Sequence, residues 1–489
     1  MLEKDFSKRY QKVVADAELG EFAHVRGCMV IKPWGYGIWE KIQKKLDVML
    51  KAHGAENAYF PLFIPLDYLE KETKHVSGFA KEMAVVTHKK LIADDNGRLI
   101  VADKLEVPLV VRPTSELLVG ESMSKWITSY RQLPMRINQW ANVVRWEMRP
   151  RIFLRSVEFL WQEGHSAYAS NEDAEDSVAE MTEIYRKFVE ETLCIPVIVG
   201  DKPKHERFPG ADNTQCIEAM MQDGKALQAG TSHYLGNNFA KASNITFQDT
   251  NGTEQLAFTT SYGVSTRLIG GLVMTHMDDN GLKVPPAIAP KHVVILPLTP
   301  KKLNDEECGN ILDYCESLRQ ALVEKTFNGE ALDVVLEYPQ HSTSNLKWSW
   351  VKKGIPLIIE VGPRDVKNGK VALIDRRQPS SPEFLELGGV IDSVSDRLNE
   401  IQASYFEEAK EYRERQSKSV VSLKELLAFF EDGNGFVWGF WGGNEGLLEV
   451  LDEHAITVRC IVKMDAPEEG KCIFTQEQTS KLCVFARSY

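Results

Sequence analysis

The stretch VVRWEMRPRIFLRSVEFLWQEGH, Val143 to His165, reads as two strands joined by a basic, proline-containing loop. Side chains alternate faces along a strand. Arg145 and Glu147 therefore share one face of the first strand, and Arg155, Phe159, Trp161, Glu163 and His165 share one face of the second. A soluble sheet face is normally apolar against a core or polar against water. This one mixes guanidinium, carboxylate, imidazole and two large aromatic rings, which suits a ligand with an anionic part, a flat ring and a cationic part. Taken alone, it also reads as a half-buried hairpin whose charges pair with one another. Other segments decide between the two.

Working outward, residues 36–51 carry Ile38, Ile42, Leu46, Met49 and Leu50 at helical spacing, with Gly54 as the stop. NAYFPLFIP (57–65) follows as a strand broken by Pro61 and Pro65. RPTSE (112–116) reads as a turn into a helix that begins near Glu116, with Thr114 or Ser115 as its N-cap. In QAGTSHYLG (228–236), Gly230 permits close approach of the backbone to a ligand. TSYGVSTRLIGGLVMTH (260–276) reads as a strand entering a helix. VPPAIAPKH (284–292) is the best linker, and beyond it short apolar strands alternate with helices as in a compact α/β domain. In 341–377, Lys347, Lys352, Lys353, Arg364, Lys367, Lys370, Arg376 and Arg377 outnumber Glu360, Asp365 and Asp375 by five. Such a patch on an otherwise acidic chain fits either an RNA face or a solvated surface. A charged helix over about 394–415 carries Leu398, Ile401, Tyr405, Ala409 and Tyr412 on one stripe, and Ser422 with Glu425 forms a capping box.

The 489 residues exceed one ordinary core, so two or three domains are expected. A 43% hydrophobic and 26% charged composition is that of a folded soluble protein. No apolar run approaches the ~20 residues that span a bilayer. MLEKDFSKRYQK lacks a signal core, so a cytoplasmic protein with no membrane partner is expected. The eight scattered cysteines read as reduced thiols. A net charge of −12 argues against indiscriminate nucleic-acid binding and leaves local RNA recognition open.

The hairpin resembles motif 2 of the class II aminoacyl-tRNA synthetases, and FLWQEGH is closest to the prolyl-tRNA synthetase family. That resemblance implies an α+β catalytic domain over 1–285, an antiparallel sheet flanked by helices. An α/β anticodon-binding domain over 286–393 and a small α+β C-terminal domain over 394–489 would follow. It further implies ATP with Mg²⁺, proline and tRNA(Pro) as partners, and a homodimer built on motif 1 with Pro61 at the family's proline position. Arg145 and Arg267 become the catalytic residues. Thr114, Glu116, Arg145, Trp161, Glu163, His165 and His233 would hold proline. Arg145, Glu147, Arg155, Phe159, Gln228, Thr231, Ser265 and Arg267 would hold ATP, with Phe159 and Arg267 on opposite faces of the adenine. Glu147 is left between Mg²⁺ and the adenine amine. GIPLIIEVGPRD (354–365) resembles the family's anticodon domain, which makes Glu360, Arg364, Arg376 and Arg377 candidate base readers.

The C-terminal segment resembles archaeal/eukaryote-like members, which also end in tyrosine. Many of them hold zinc on four cysteines. WGFWGGNEG (438–446) lacks the first cysteine pair and Cys472 has no close second, so no zinc is expected. Val157 stands where the family often has arginine. About a hundred residues separate His165 from Arg267, leaving no room for the ~150-residue editing insertion of typical bacterial members, so uncorrected misactivation of alanine is expected. Two rivals stand beside this reading. One is a class II enzyme for threonine or glycine, which Trp161, Glu163 and His165 oppose. The other is a non-catalytic synthetase-like RNA binder, which the retained Arg145, Phe159, Gln228 and Arg267 oppose.

Overall fold

The computed structural model describes residues 3–70, 82–300, 302–338, 343–464, 466 and 468–489. Its frame is one eleven-stranded sheet. The strands are β1 Glu56–Asn57, β2 Met135–Val144, β3 Glu158–Tyr168, β4 Val197–Asp201, β5 Asn213–Met220, β6 Ala226–Gly236, β7 Phe258–Ser265, β8 Ser417–Ser419, β9 Phe436–Phe440, β10 Thr457–Val462 and β11 Leu482–Ala486. Their spatial order is β8-β9-β11-β10-β4-β5-β6-β7-β3-β2-β1. All neighbours are antiparallel except β1–β2 and β8–β9. Four helices matter for the site and its neighbours: α1 Pro33–Ala52, α2 Glu116–Trp126, α3 Arg267–His276 and α4 Leu387–Arg415.

α1 opens with proline at its first turn and stops before Gly54, whose φ of 85° favours a residue without Cβ. Its stripe Ile38, Ile42, Leu46 and Leu50 is fully buried, and joins Leu268, Ile269, Leu272 and Val273 of α3 in the largest core. The 57–65 segment forms two short pieces, Glu56–Asn57 and Phe63–Pro65, because proline cannot donate to a ladder.

The linker is no exposed hinge. Val284 through Ala289 is buried, with a 3₁₀ turn at Pro286–Ile288. It leads to a five-stranded sheet: 293–297 lies between 334–336 and 357–361, all parallel, and 370–375 and 383–386 extend it antiparallel. The helix at 394–415 begins earlier, at Leu387, and buries Val390, Val394, Leu398, Ile401 and Tyr405 in this middle core. The expected boundary at 393 thus falls inside one continuous helix. The C-terminal segment is less separate than expected. Its strands β8–β11 continue the same sheet as β1–β7, with Ile461 opposite Asp201 and Val462 opposite Gly200. Aromatic side chains Phe430, Trp441 and Phe485 fill its core, and Cys472 Sγ accepts the Gly442 N–H at 3.4 Å. Among the described residues no group of three or more metal-ligating side chains occurs, and no helix is long and apolar enough to cross a membrane.

Candidate active site

β3 is an interior strand between β7 and β2, and its register sets Phe159, Trp161, Glu163 and His165 opposite Val143, Ala141, Gln139 and Ile137 of β2. The alternation expected for the second strand therefore holds from Phe159 on. β2 stops at Val144, so Arg145 and Glu147 stand in the 145–157 loop rather than on a strand. Above this face is a cavity of about 350 Å³ lined by Thr114, Glu116, Arg145, Phe159, Trp161, Glu163, His165, Gln228, Thr231, His233, Ser265 and Arg267. Four segments distant in sequence meet there.

The inner end is built around Glu116, the first residue of α2. Its carboxylate accepts the Thr114 hydroxyl and lies 3.7 Å from His165 Nε2. Burial works to raise this carboxyl, but His165 and Thr114 outweigh it and hold Glu116 down at about 2. Burial likewise opposes the charge on His165, yet Glu116 and then Glu163 lift it above its ordinary 6.5. At His233 burial outweighs the attraction of Glu116 and takes the imidazole down to about 4, and its Nδ1 lies 3.0 Å from Thr214 Oγ1. Trp161 Nε1 and His165 Nε2 are buried polar atoms without a hydrogen-bond partner among the described residues. Such orphaned groups are uncommon inside proteins, and these two residues line the cavity.

Glu163 lines the cavity with a carboxylate that already has partners. It accepts Ser115 Oγ at 2.6 Å, Ser115 N–H at 3.2 Å and Gln139 Nε2 at 2.7 Å, and so fixes the turn that presents Thr114 and Glu116. Ser115 occupies the N-cap position of α2, but its hydroxyl goes to Glu163 and leaves the helix N–H groups uncapped by it.

Arg145 stands between this end and the next. Its Nε donates to the Pro113 carbonyl at 2.8 Å, and its guanidinium carbon lies 5.4 Å from the Trp161 ring centre and 5.9 Å from that of Phe159. A second cavity, about 270 Å³, shares Arg145, Phe159, Ser265 and Arg267 with the first and adds Glu82, Glu147, Arg155 and Tyr489. Arg267 begins α3, and burial followed by the charges of Arg155 and Arg145 lowers its pKa. Three arginines in one concavity make an anion site. Val157 lines neither cavity. It is buried against Gly27, on which a Cβ would meet the Val157 Cγ2 at 2.5 Å, and the valine itself does not face the pocket.

The basic 341–377 segment is only partly an outward face. Lys352 and Lys353 pair with Asp16 at 3.2 Å and Glu18 at 2.8 Å. Arg376 is the clear correction: its side chain is 0% exposed and bidentate to Asp278, with Nε donating to Leu282 and Val351 carbonyls. It cannot read a base; it fastens the middle domain to the catalytic one. Arg377 is folded onto Asp375, which occupies its fork. Glu360 lies 4.0 Å from Lys347, with burial raising its carboxyl, and Arg364 remains exposed.

Other wall residues carried no signal in the sequence. Glu206, Arg207, Phe208 and Pro209 form a loop over the inner cavity, and the Phe208 ring lies 4.8 Å from His233. Tyr262 passes under β3 because Gly164 lacks the Cβ that would meet its ring at 1.8 Å. Tyr489 reaches the outer cavity by pairing with Ala226, and its hydroxyl donates to Asp223 at 2.6 Å.

Residues 100–276 match the tRNA synthetase class II core domain (G, H, P, S and T), and residues 292–396 match an anticodon binding domain. A proline--tRNA ligase of Paramagnetospirillum magneticum is 51% identical over 491 residues, covering 100% of this chain and 97% of the relative. Proline--tRNA ligases of Protochlamydia amoebophila and Erythrobacter litoralis are each 50% identical, covering 100% of this chain and 97% and 98% of their own lengths. Identity of that order, end to end over chains of matching length, shows that this chain belongs to the proline--tRNA ligase family of class II aminoacyl-tRNA synthetases.

Proposed function

We propose that the protein condenses proline with ATP to prolyl-adenylate and pyrophosphate, then transfers the prolyl group to the 3′ end of tRNA(Pro). The observation that carries this is the place of Arg145, which lines both cavities between the Glu116 end and the Phe159–Arg267 end. A proline carboxylate and an ATP α-phosphate can meet only where one cation faces both. The proline ring ammonium goes to Glu116 and Thr114, near Trp161, His165 and His233, while Glu163 holds their turn. The adenine lies between Phe159 and Arg267, with Gln228, Thr231 and Ser265 beside the nucleotide and Arg155 at the outer phosphates. Glu147, in the outer cavity, is the carboxylate suited to Mg²⁺, whose chemistry is to neutralise and bend the triphosphate. Glu218 is committed to Lys202 and Arg459 and does not serve it.

The proline carboxylate is ionised at pH 7 and needs no general base. Its oxygen attacks the α-phosphorus, and the bond to the bridging oxygen of pyrophosphate breaks. Positioning and charge stabilisation by Arg145 and Arg267 carry the step. In the second step the terminal ribose 3′-OH attacks the acyl carbonyl and AMP leaves. Arg364 and Glu360 remain the anticodon-side candidates. Exposed Tyr59 and Phe63, flanking Pro61, and Leu99 and Val101 offer apolar surface for the homodimer. Proline-dependent ATP–pyrophosphate exchange tests the reading, with threonine and glycine in parallel. Exchange with either of those instead of proline, or none in folded protein, overturns it.

Two results follow. Alanine is activated weakly, because each ring methylene lost costs only ~1–3 kcal/mol of discrimination. Exchange kinetics that reject alanine by more than about 10⁵-fold contradict this. Proline binding also releases a proton. His165 holds its raised pKa through Glu116 and Glu163, with Arg145 and His233 as the other groups around that pair. When the ligand ammonium takes Glu116, the imidazolium loses its main anion and gains a cationic neighbour. Its pKa falls, so proline binds more tightly as pH rises toward the raised His165 value and levels off above it. Calorimetry of proline binding in two buffers of different ionisation enthalpy reads the proton directly. A heat that does not depend on the buffer counts against it.

A further inference from the structure

The loop over the inner cavity starts at Lys202, immediately after β4, and has little structure of its own beyond one 3₁₀ turn at Lys204–Glu206. Pro203 and Pro209 bracket it. Local contacts hold it, among them Arg207 on the Lys202 and Asp212 carbonyls, and part of the rest comes from the far end of the chain. Lys202 Nζ lies 2.9 Å from Glu218 and 3.1 Å from Glu206, and Arg459 of β10 lies 3.1 Å from Glu218 and 4.0 Å from Glu206. The side chains of Lys202, Glu218 and Arg459 are 2%, 0% and 8% exposed. Two cations and two anions balance, which is the condition under which such groups tolerate loss of water. A second anchor joins the same two segments: Glu445 accepts the His205 backbone N–H at 3.1 Å and faces His205 Nδ1 at 3.1 Å.

The two strands behind these anchors touch directly. β10 pairs with β4 at Ile461–Asp201, one residue before Lys202. Gly200 permits the approach, since a Cβ there would lie 2.5 Å from the Ile461 carbonyl and 2.7 Å from Cys460 Cβ. From Glu206 the path into the pocket is short. Phe208 N–H donates to Thr214 Oγ1 at 3.3 Å, that hydroxyl lies 3.0 Å from His233 Nδ1, and the Phe208 ring leans on the imidazole.

We infer that the C-terminal segment sets the shape of the proline end of the pocket, with Arg459 and Glu445 acting as positioning residues for loop 202–212. Neither touches substrate. Arg459 orients Glu206 through the shared ion cluster, Glu445 pins His205, and the loop between them then holds Phe208 against His233. This rests on the proposed activity and deepens it. A segment that places one wall of the amino-acid site affects proline use more than ATP use, even though Glu218 and Arg459 of the cluster also act on Arg267.

The test is ATP–pyrophosphate exchange by the full chain, with KM for proline and for ATP measured separately for wild type, Arg459→Met, Arg459→Lys and Glu445→Gln. Misplacing a pocket wall by about an ångström costs up to ~10²-fold, so the proline KM of Arg459→Met is expected to rise at least about tenfold and that of Glu445→Gln about threefold. ATP KM is expected to stay within about threefold, and Arg459→Lys, which keeps the charge, recovers part of the loss. Proline KM within about twofold of wild type in both Arg459→Met and Glu445→Gln overturns the inference, as does an equal rise in both constants. If Arg459→Met does not fold, Glu445→Gln decides alone, because that pair is about 40% exposed and its loss leaves no buried charge. Absence of exchange in the wild type overturns the activity itself and this inference with it, an outcome distinct from unchanged constants in the variants.

Discussion

Arg145→Ala is expected to reduce proline-dependent ATP–pyrophosphate exchange by about 10³-fold or more, while the protein remains folded. Arg145 is a half-buried guanidinium lining both cavities, held by the Pro113 carbonyl and the faces of Trp161 and Phe159. These contacts preorganise it, so it need not reorient as charge builds on the α-phosphate. Preorganised donors of this kind are each worth ~10²–10³ in rate, and a charged fork facing two anions at once lies at or above that range. Arg145→Lys is expected to recover little, because an ammonium cannot span a carboxylate and a phosphate with parallel donors. Near-normal exchange by folded Arg145→Ala would remove Arg145 from the chemistry and with it the reading of the two cavities as one site.

How much of this was legible depends on whether a feature is local. The Phe159–His165 face follows from two-residue alternation, and the structure keeps that register across β2 and β3. The α1 stripe was legible for the same reason at helical spacing. Glu163 was legible as a pocket residue but not in its orientation, because its partners Ser115 and Gln139 lie on two other segments. The 202–212 loop has neither periodicity nor motif, and its meaning comes from Arg459, some 250 residues away. The charge count over 341–377 was informative only in part, for a similar reason. A sum of charges says nothing of where each side chain points, and Lys352, Lys353 and Arg376 point into the neighbouring domain. The C-terminal segment read as a separate domain because strand pairing between Asp201 and Ile461 leaves no trace in either stretch.

The other large effect is expected at Arg376. Arg376→Ala is expected to loosen the middle domain from the catalytic one and to separate the two half-reactions. The wild-type side chain has no exposure, donates Nε to the Leu282 and Val351 carbonyls at 2.9 Å each, and meets Asp278 through both terminal nitrogens at 2.7 and 2.8 Å. Truncation strands two carbonyls and a carboxylate together. Breaking a buried pair from one side costs ~3–5 kcal/mol, and since Asp278 is 31% exposed and can be partly rehydrated, the lower end is expected. Burial pushes the Asp278 carboxyl up, but the Arg376 hydrogen bonds and charge outweigh it and hold it below the ordinary carboxylate value of 3.8. A depressed carboxylate pKa contributes stability that is present above 3.8 and lost as pH falls through the folded value, so the variant differs from wild type at neutral pH and converges on it in strong acid. None of these atoms lines the two cavities, so proline-dependent exchange is expected to stay within about threefold of wild type at 25 °C. Charging of tRNA needs the acceptor end and the anticodon read by two domains at fixed separation, and is expected to fall at least about tenfold. Exchange and aminoacylation measured on one preparation, with the thermal midpoint of each transition, read this out. A parallel fall in both activities would mean that Arg376 supports the catalytic core rather than the join, and unchanged charging would mean that the buried pair holds nothing tRNA depends on.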